Sequence, residues 1–199
     1  ATEDDDYPTI VTKTVTIPAG DTSATIVIDP SSDTLYEGDE GLDVTLVSGQ
    51  TNGQAITIGG ANSATGTITD SDAAPSFSIG DASVTESGLM TFTVTRTGDA
   101  QASQTVDYAT SIGGSAEVGD FTAASGTLTF VSGETSKTFT VQTTADTVYE
   151  GDETFTATLS NATGDATISD ATAVGTITDN DPATGLTATI VATDASAVE

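Results

Sequence analysis

Residues 33 to 40 read DTLYEGDE, and residues 146 to 153 read DTVYEGDE. The two octapeptides lie 113 positions apart and differ only where Leu35 gives way to Val148. Repetition at that distance means two copies of one structural unit, and it limits the chain to folds built from beads of about this size. The same offset pairs Gly20 in PAGDTSATIVI with Gly133 in VSGETSKTFTV, and DASVTE at 81 to 86 with DASAVE at 194 to 199. GTITDSD at 66 to 72 and GTITDND at 175 to 181 are 109 apart, because the first copy carries four extra residues near SGQTNGQAITIGGANS, a stretch read as a loop. The predicted organisation is the later part of a first repeat over 1–72, a complete second repeat over 75–181, and the opening strand of a third over 184–199. Short breaks at AAPS and PATG carry proline, as tight linkers between beads do. The pattern is that of a window on a longer array.

Within the second repeat the period is two, the signature of strands. LMTFTVTRT places Met90, Phe92 and Val94 on one face; SKTFTVQTT gives Phe139 and Val141; ETFTATLS gives Phe155, Ala157 and Leu159. The intervening threonines suit a pleated surface, since the branched Cβ packs while the hydroxyl stays wet. With FSIG, QTVDYAT, GTLTFV and TAVGTIT these make about seven short strands and no helix, which predicts an all-β fold of tandem immunoglobulin-like antiparallel β-sandwiches. The first repeat is expected to supply matching later strands around Ile26 and Ile28, then Leu42, Val44 and Leu46, then Ile68.

Charge narrows the function. Thirty acids face three bases, Lys13, Arg96 and Lys137, for a net charge of -27. Such a surface repels nucleic acid, anionic lipid and phosphorylated substrates, and attracts cations. No Cys, His or Trp is present, which removes thiolate nucleophiles, Ser-His-Asp relays and zinc sites built on Cys or His. Paired carboxylates also serve glycosidases, but these acids fall on short turns, lack an aromatic platform and recur with the repeat, so no enzyme is expected. No apolar run approaches the roughly 20 residues that span a bilayer, so direct membrane insertion is not expected. ATEDDDYPT carries no signal pattern, and any targeting segment is expected outside these 199 residues. A cysteine-free, Thr-rich, acidic chain fits a secreted or surface-attached bacterial protein.

If seven strands, A to G, alternate up and down, the A–B, C–D and E–F connections and the end of G share one pole. Glu86, Asp120, Asp146, Glu150, Glu153, Asp179 and Asp181 then converge there. Two carboxylates about 5 Å apart at an effective dielectric near 20 repel by roughly 3 kcal/mol, and Arg96 and Lys137 sit within strands rather than among these acids. A divalent ion relieves the repulsion and satisfies the lone pairs. Ca²⁺ accepts roughly 6 to 8 oxygens in forgiving geometry, whereas Mg²⁺ demands a stricter octahedron and is second choice. Asp39 and Asp152 are expected to face solvent or hold the turn; Asp107, Asp165 and Asp170 are read as ordinary surface residues. Tyr36 and Tyr149 are read as packing for the E–F loop, and Asn161-Ala162-Thr163 as a chance glycosylation pattern.

The ordered set ESG, GDF, GTLTF, SGETSKTFTV, DTVYEGDETF, LSN and ITDND resembles the Calx-beta domain, over nearly all of the second repeat and the retained part of the first. The resemblance implies an immunoglobulin-like sandwich that binds Ca²⁺ through these acids at the module end, often in tandem arrays of extracellular proteins. It implies the seven acids above as ligands, with Asn180 adding a carbonyl. Asn180 stands where many relatives have Asp, which lowers the charge of the site. In the first repeat the corresponding acids are Asp6, Asp33, Glu37, Glu40, Asp70 and Asp72, with Ser71 in place of the middle acid, and the third copy contributes Glu199.

The function expected is a non-enzymatic, Ca²⁺-binding structural segment of an adhesin, biofilm or filament protein, in which the ion stiffens the junction between neighbouring repeats. A Ca²⁺-sensing regulatory module, or a spacer of an extracellular enzyme, is the alternative. Self-assembly by strand donation from residues 185 to 199 into the incomplete first repeat is a further expectation.

Overall fold

The computed structural model describes residues 6–7 and 13–183. The predicted opening strand over 184–199, Glu199 and the donor strand lie outside the described residues. Every regular element among the described residues is a strand, and no helix is long and apolar enough to cross a membrane.

In the first repeat β1 (Glu40–Thr45) pairs antiparallel with β4 (Ser63–Ile68). Between them β2 (Gly49–Thr51) and β3 (Gln54–Ile56) form a short hairpin. The stretch read as a loop is thus partly ordered: Asn52 and Gly53 both take positive φ, 47° and 75°, the Asn-Gly combination that twists a two-residue turn to match its strands. The strand expected at Ile26 and Ile28 does not form, and Ile26 and Val27 are exposed. Leu46, expected on the inward face, lies just beyond β1 and is also exposed. Both departures have one cause, visible in the complete repeat.

That repeat runs β5 (Ser76–Ile79), β6 (Ala82–Thr85), β7 (Leu89–Thr97), β8 (Gln104–Ser111), β9 (Ser125–Phe130), β10 (Ser136–Gln142), β11 (Glu153–Ser160), β12 (Thr167–Asp170) and β13 (Thr172–Thr178). Two sheets form, ordered β10-β7-β5-β12 and β6-β13-β11-β8-β9. FSIG and TAVGTIT form β5 and β13, and two strands not read from the sequence, β6 after the first and β12 before the last, carry the chain from one sheet to the other at Gly80-Asp81 and at Ala171. Strand β10 sits at a sheet edge and pairs with β7 alone. Among the described residues of the first repeat nothing plays the part of β7, so the Ile26 segment is left unpaired there, and no opposing sheet covers Leu46.

The alternating residues of the second repeat all turn inward: Met90, Phe92, Val94, Val106, Phe139, Val141, Phe155, Ala157 and Leu159 are buried. Phe92 of one sheet stacks on Phe139 at 5.2 Å and meets Phe155 of the other edge-on at 5.9 Å. Arg96 is buried in the same core with its guanidinium spread over four acceptors, the carbonyls of Ala100, Ala102 and Val131 and the Gln104 side chain. It lies at the far end of β7 from the acidic turns, as does Lys137, which pairs with Glu134 at 2.8 Å. Both bases of the second repeat are therefore committed elsewhere.

Candidate metal centre

Strands β6 and β13 run parallel, in register from Ala82 with Gly175 to Thr85 with Thr178. Parallel pairing sends both chains off the sheet at the same end, so Glu86 leaves beside Asp179, with its N–H donated to the Thr178 carbonyl at 3.1 Å. The β8–β9 connection is fixed by Phe121, whose ring stacks on Phe155 at 4.1 Å and whose backbone bridges to Thr143. The Asp120 carbonyl accepts the Thr144 N–H at 2.7 Å. A hydrophobic residue thus anchors the loop, and the acid before it is presented at the pole, where its carboxylate caps the Glu117 N–H.

The Glu-Gly-Asp-Glu turn is built around a carboxylate. Asp179 Oδ2 accepts the Glu150 and Gly151 N–H groups at 2.7 and 2.5 Å, and its Oδ1 accepts the Asp181 N–H at 2.7 Å. Gly151 has φ 80°, a conformation costly for any residue with a Cβ, and this is what lets two successive N–H groups point at one oxygen. The first repeat reproduces the device: Asp70 Oδ2 accepts Glu37 and Gly38 N–H, both at 2.7 Å, its Oδ1 accepts Asp72 N–H at 2.8 Å, and Gly38 has φ 77°. Asp152 and Asp39 hold the turn, accepting the N–H of Asp179 at 3.3 Å and of Asp70 at 3.1 Å. Asp146 and Asp33 each cap the residue two positions on at 2.7 Å.

Among the described residues three groups of carboxylates result. Glu86, Asp179 and Asp181 bring ligand oxygens within 4.8 Å of one another; so do Asp120, Glu150 and Glu153, and, in the first repeat, Asp6, Glu37 and Glu40. Glu86, Asp120, Asp146, Glu150 and Glu153 line one narrow cleft of about 10 Å³, room for about one water-sized guest. Asp6, Asp33, Glu37, Glu40, Asp70 and Asp72 line a wider one of about 240 Å³. Asn180 is exposed between Asp179 and Asp181 and belongs to none of the three groups. Asp146 and Asp33 line the clefts without joining a group, because each is turned toward its own loop backbone.

The electrostatics record the crowding. Burial, then the hydrogen bond and negative charge of Asp120, push Glu153 up to about 7. Burial and the charges of Asp179, Asp181 and Asp146 raise Glu86, and burial with Asp146 and Asp120 raises Glu150. Glu37 is raised by burial and by Asp6, Glu40 and Asp33. Asp179 and Asp70 are moved the other way, held low chiefly by the backbone N–H of Asp181 and Asp72 respectively. One oxygen each of Glu86 and Asp181 is buried with no hydrogen-bond donor. Such atoms are costly unless something electropositive meets them. The donor set is all oxygen, mostly charged, and drawn from several loops, which fits a hard divalent cation of variable coordination.

This chain matches the Calx-beta domain over residues 1–72 and again over 73–181. It belongs to the Calx-beta domain family. Among solved structures, the apo form of the Calx CBD1 domain is similar with 25% identity and a TM-score of 0.51, over 55% of this chain and 100% of that one. CBD12 from CALX1.2 is similar with 28% identity and a TM-score of 0.50, over 53% of this chain and 46% of that one, so the chain spans about half the length of that relative. No curated protein sequence matches the chain significantly. The Calx-beta assignment agrees with the sandwich and with the motifs read from the sequence.

Three other readings change. Asp107, taken as an ordinary surface acid, accepts from Thr127 at 2.5 Å and Asn161 at 2.9 Å and is held low by both. Asn161 is therefore engaged in tying β8 to the loop after β11. Tyr149, read as packing for its loop, is 55% exposed, whereas Tyr36 in the first repeat is half-buried. No short-range sequence signal separates the two tyrosines, since their octapeptides are nearly identical.

Proposed function

We propose that this Calx-beta chain is a Ca²⁺-binding tandem module in which the acids of each pole coordinate ions and the ions stiffen the junction with the next repeat. The observation that carries the reading is the pair of oxygen triads, Glu86-Asp179-Asp181 and Asp120-Glu150-Glu153, brought together from different loops, the first with buried acceptor atoms of Glu86 and Asp181 that lack donors. Both triads lie at one end of a single sandwich, and Glu150 feels the charges of Asp120 and Asp179 alike. In the second repeat Glu86, Asp120, Glu150, Glu153, Asp179 and Asp181 are the proposed ligands, with Asp146 and Asn180 as supplementary donors. In the first, Asp6, Glu37 and Glu40 hold the ion, with Asp33, Asp70 and Asp72 around it.

The mechanism is electrostatic and mechanical. Without a cation the poles repel themselves and their neighbours; with Ca²⁺ the loops that meet the linker become one coordinated cluster. The chemistry is binding rather than catalysis, and the setting proposed is the extracellular or cell-surface part of a larger adhesin, biofilm or filament protein. Calorimetric titration with Ca²⁺ after chelation tests the core of this reading. Several ions bound, with a marked rise in melting temperature, is the expected result; no heat at millimolar Ca²⁺ overturns it. Small-angle scattering tests the stiffening, which requires a longer, narrower distance distribution in Ca²⁺ than in chelator.

A further inference from the structure

We infer that Gln101 is a positioning residue for the first repeat's cleft: its side-chain amide clamps the second repeat onto the turn that carries Asp33 and Glu37. The inference rests on the cation reading of that cleft and adds a residue from the other repeat to its machinery.

The covalent link between repeats runs from Asp72 through Ala73 and Ala74 to Pro75. A single tether of this kind leaves rotations open. The β7–β8 loop closes on it: Asp99 donates its N–H to the Ala73 carbonyl at 2.8 Å. Gly98, at φ 76°, approaches so closely that a Cβ there would sit 2.2 Å from the Ala74 oxygen. Asp99 Oδ1 then accepts the Gln101 N–H at 2.9 Å, turning the chain so that the Gln101 side chain reaches back past the linker. Its Nε2 donates to the Thr34 carbonyl at 2.5 Å and lies 2.9 Å from Thr34 Oγ1.

Thr34 stands between Asp33 and Leu35, both of which line the cleft. On the opposite side the same loop is held by Asp70 through the Glu37 and Gly38 N–H groups. The loop bearing Asp33 and Glu37 is therefore fixed at two places, one within its own repeat and one from the next. Releasing the second lets the turn leave the ion-competent shape, and affinity falls by the fraction of time it does so.

The test uses the full chain, labelled for NMR and titrated with CaCl₂. The Gly38 and Gly151 amides, which donate to Asp70 and Asp179, report the first and second clefts separately. In Gln101→Ala and Gln101→Glu, neither of which can donate, the Gly38 midpoint should rise by about threefold to tenfold, the worth of one hydrogen bond, while the Gly151 midpoint stays put. Equal shifts at both amides, or none at Gly38, overturn the inference. Residual dipolar couplings at saturating CaCl₂ give a readout independent of affinity: one alignment tensor should describe both repeats in the native chain and two should be needed in Gln101→Ala. A single tensor in both overturns the clamp, and silence of both amides toward Ca²⁺ in the native chain overturns the cation reading instead.

Discussion

Glu153→Gln should stabilise the cation-depleted protein at pH 8, although it removes a proposed ligand. Folding moves the Glu153 carboxyl from 4.5 to about 7, and each tenfold change in proton affinity corresponds to about 1.4 kcal/mol. The full displacement would make the ionised side chain cost roughly 3 kcal/mol. Glu153 is half-buried and open to screening, so about 1 to 3 kcal/mol is the expected gain when a neutral amide takes its place and donates to Asp120. For a repeat of this size that raises the melting temperature by about 4 to 12 °C. The sign follows from linkage: a carboxyl raised on folding costs nothing below its unfolded value, costs progressively more as pH climbs from there, and reaches the full cost above its folded value. At pH 4, where Glu153 carries its proton, the variant and the native chain should therefore melt together. Scanning calorimetry in excess chelator at both values, followed by Ca²⁺ titration at pH 8, is the assay. A variant less stable than the native chain at pH 8 in chelator refutes the claim that the pole is crowded with unrelieved charge; undiminished Ca²⁺ binding refutes Glu153 as a ligand.

The remaining predictions concern pH, the core and the buried base. In chelator, acidification from pH 8 through about 7 should raise the melting temperature as Glu153 takes up its proton, with the raised Glu37, Glu86 and Glu150 acting in the same direction, and further acidification should lower it as Asp70 and Asp179 lose the charge that their N–H donors favour. Saturating Ca²⁺ should remove the first limb, because ion-bound carboxylates stay ionised as they are in the unfolded chain, leaving stability level until pH nears the unfolded value of 4.5 and falling below it, measured by the same melts. Gly175→Ala should cost about 1 to 3 kcal/mol in chemical denaturation, because its Cβ would lie 2.5 Å from Phe155 Cζ and 2.9 Å from Met90 Sδ. Arg96→Lys should cost about 2 to 4 kcal/mol by the same measurement, since one ammonium cannot serve three carbonyls and the Gln104 amide oxygen that the planar guanidinium bridges.

The sequence by itself determined the β architecture, because alternation of Phe, Val, Leu and Ala with Thr is a property of the chain that only a pleated, half-buried strand can use. It also placed Glu86, Asp120, Glu150, Glu153, Asp179 and Asp181 on turns at one pole, since antiparallel alternation fixes which connections share an end. Tertiary structure decided the rest. That the acids fall into separate triads depends on the parallel pairing of β6 with β13, a contact between strands about 90 residues apart. That Asp179 anchors the turn, rather than merely joining a cluster, depends on which N–H groups a glycine at positive φ exposes. The absent strand at Ile26 and Ile28 shows the same limit from the other side: its inward face is legible locally, but a strand exists only with a partner, and the partner's place is set by the fold. Gln101 carries no sequence signal at all, because its role arises only where two repeats meet.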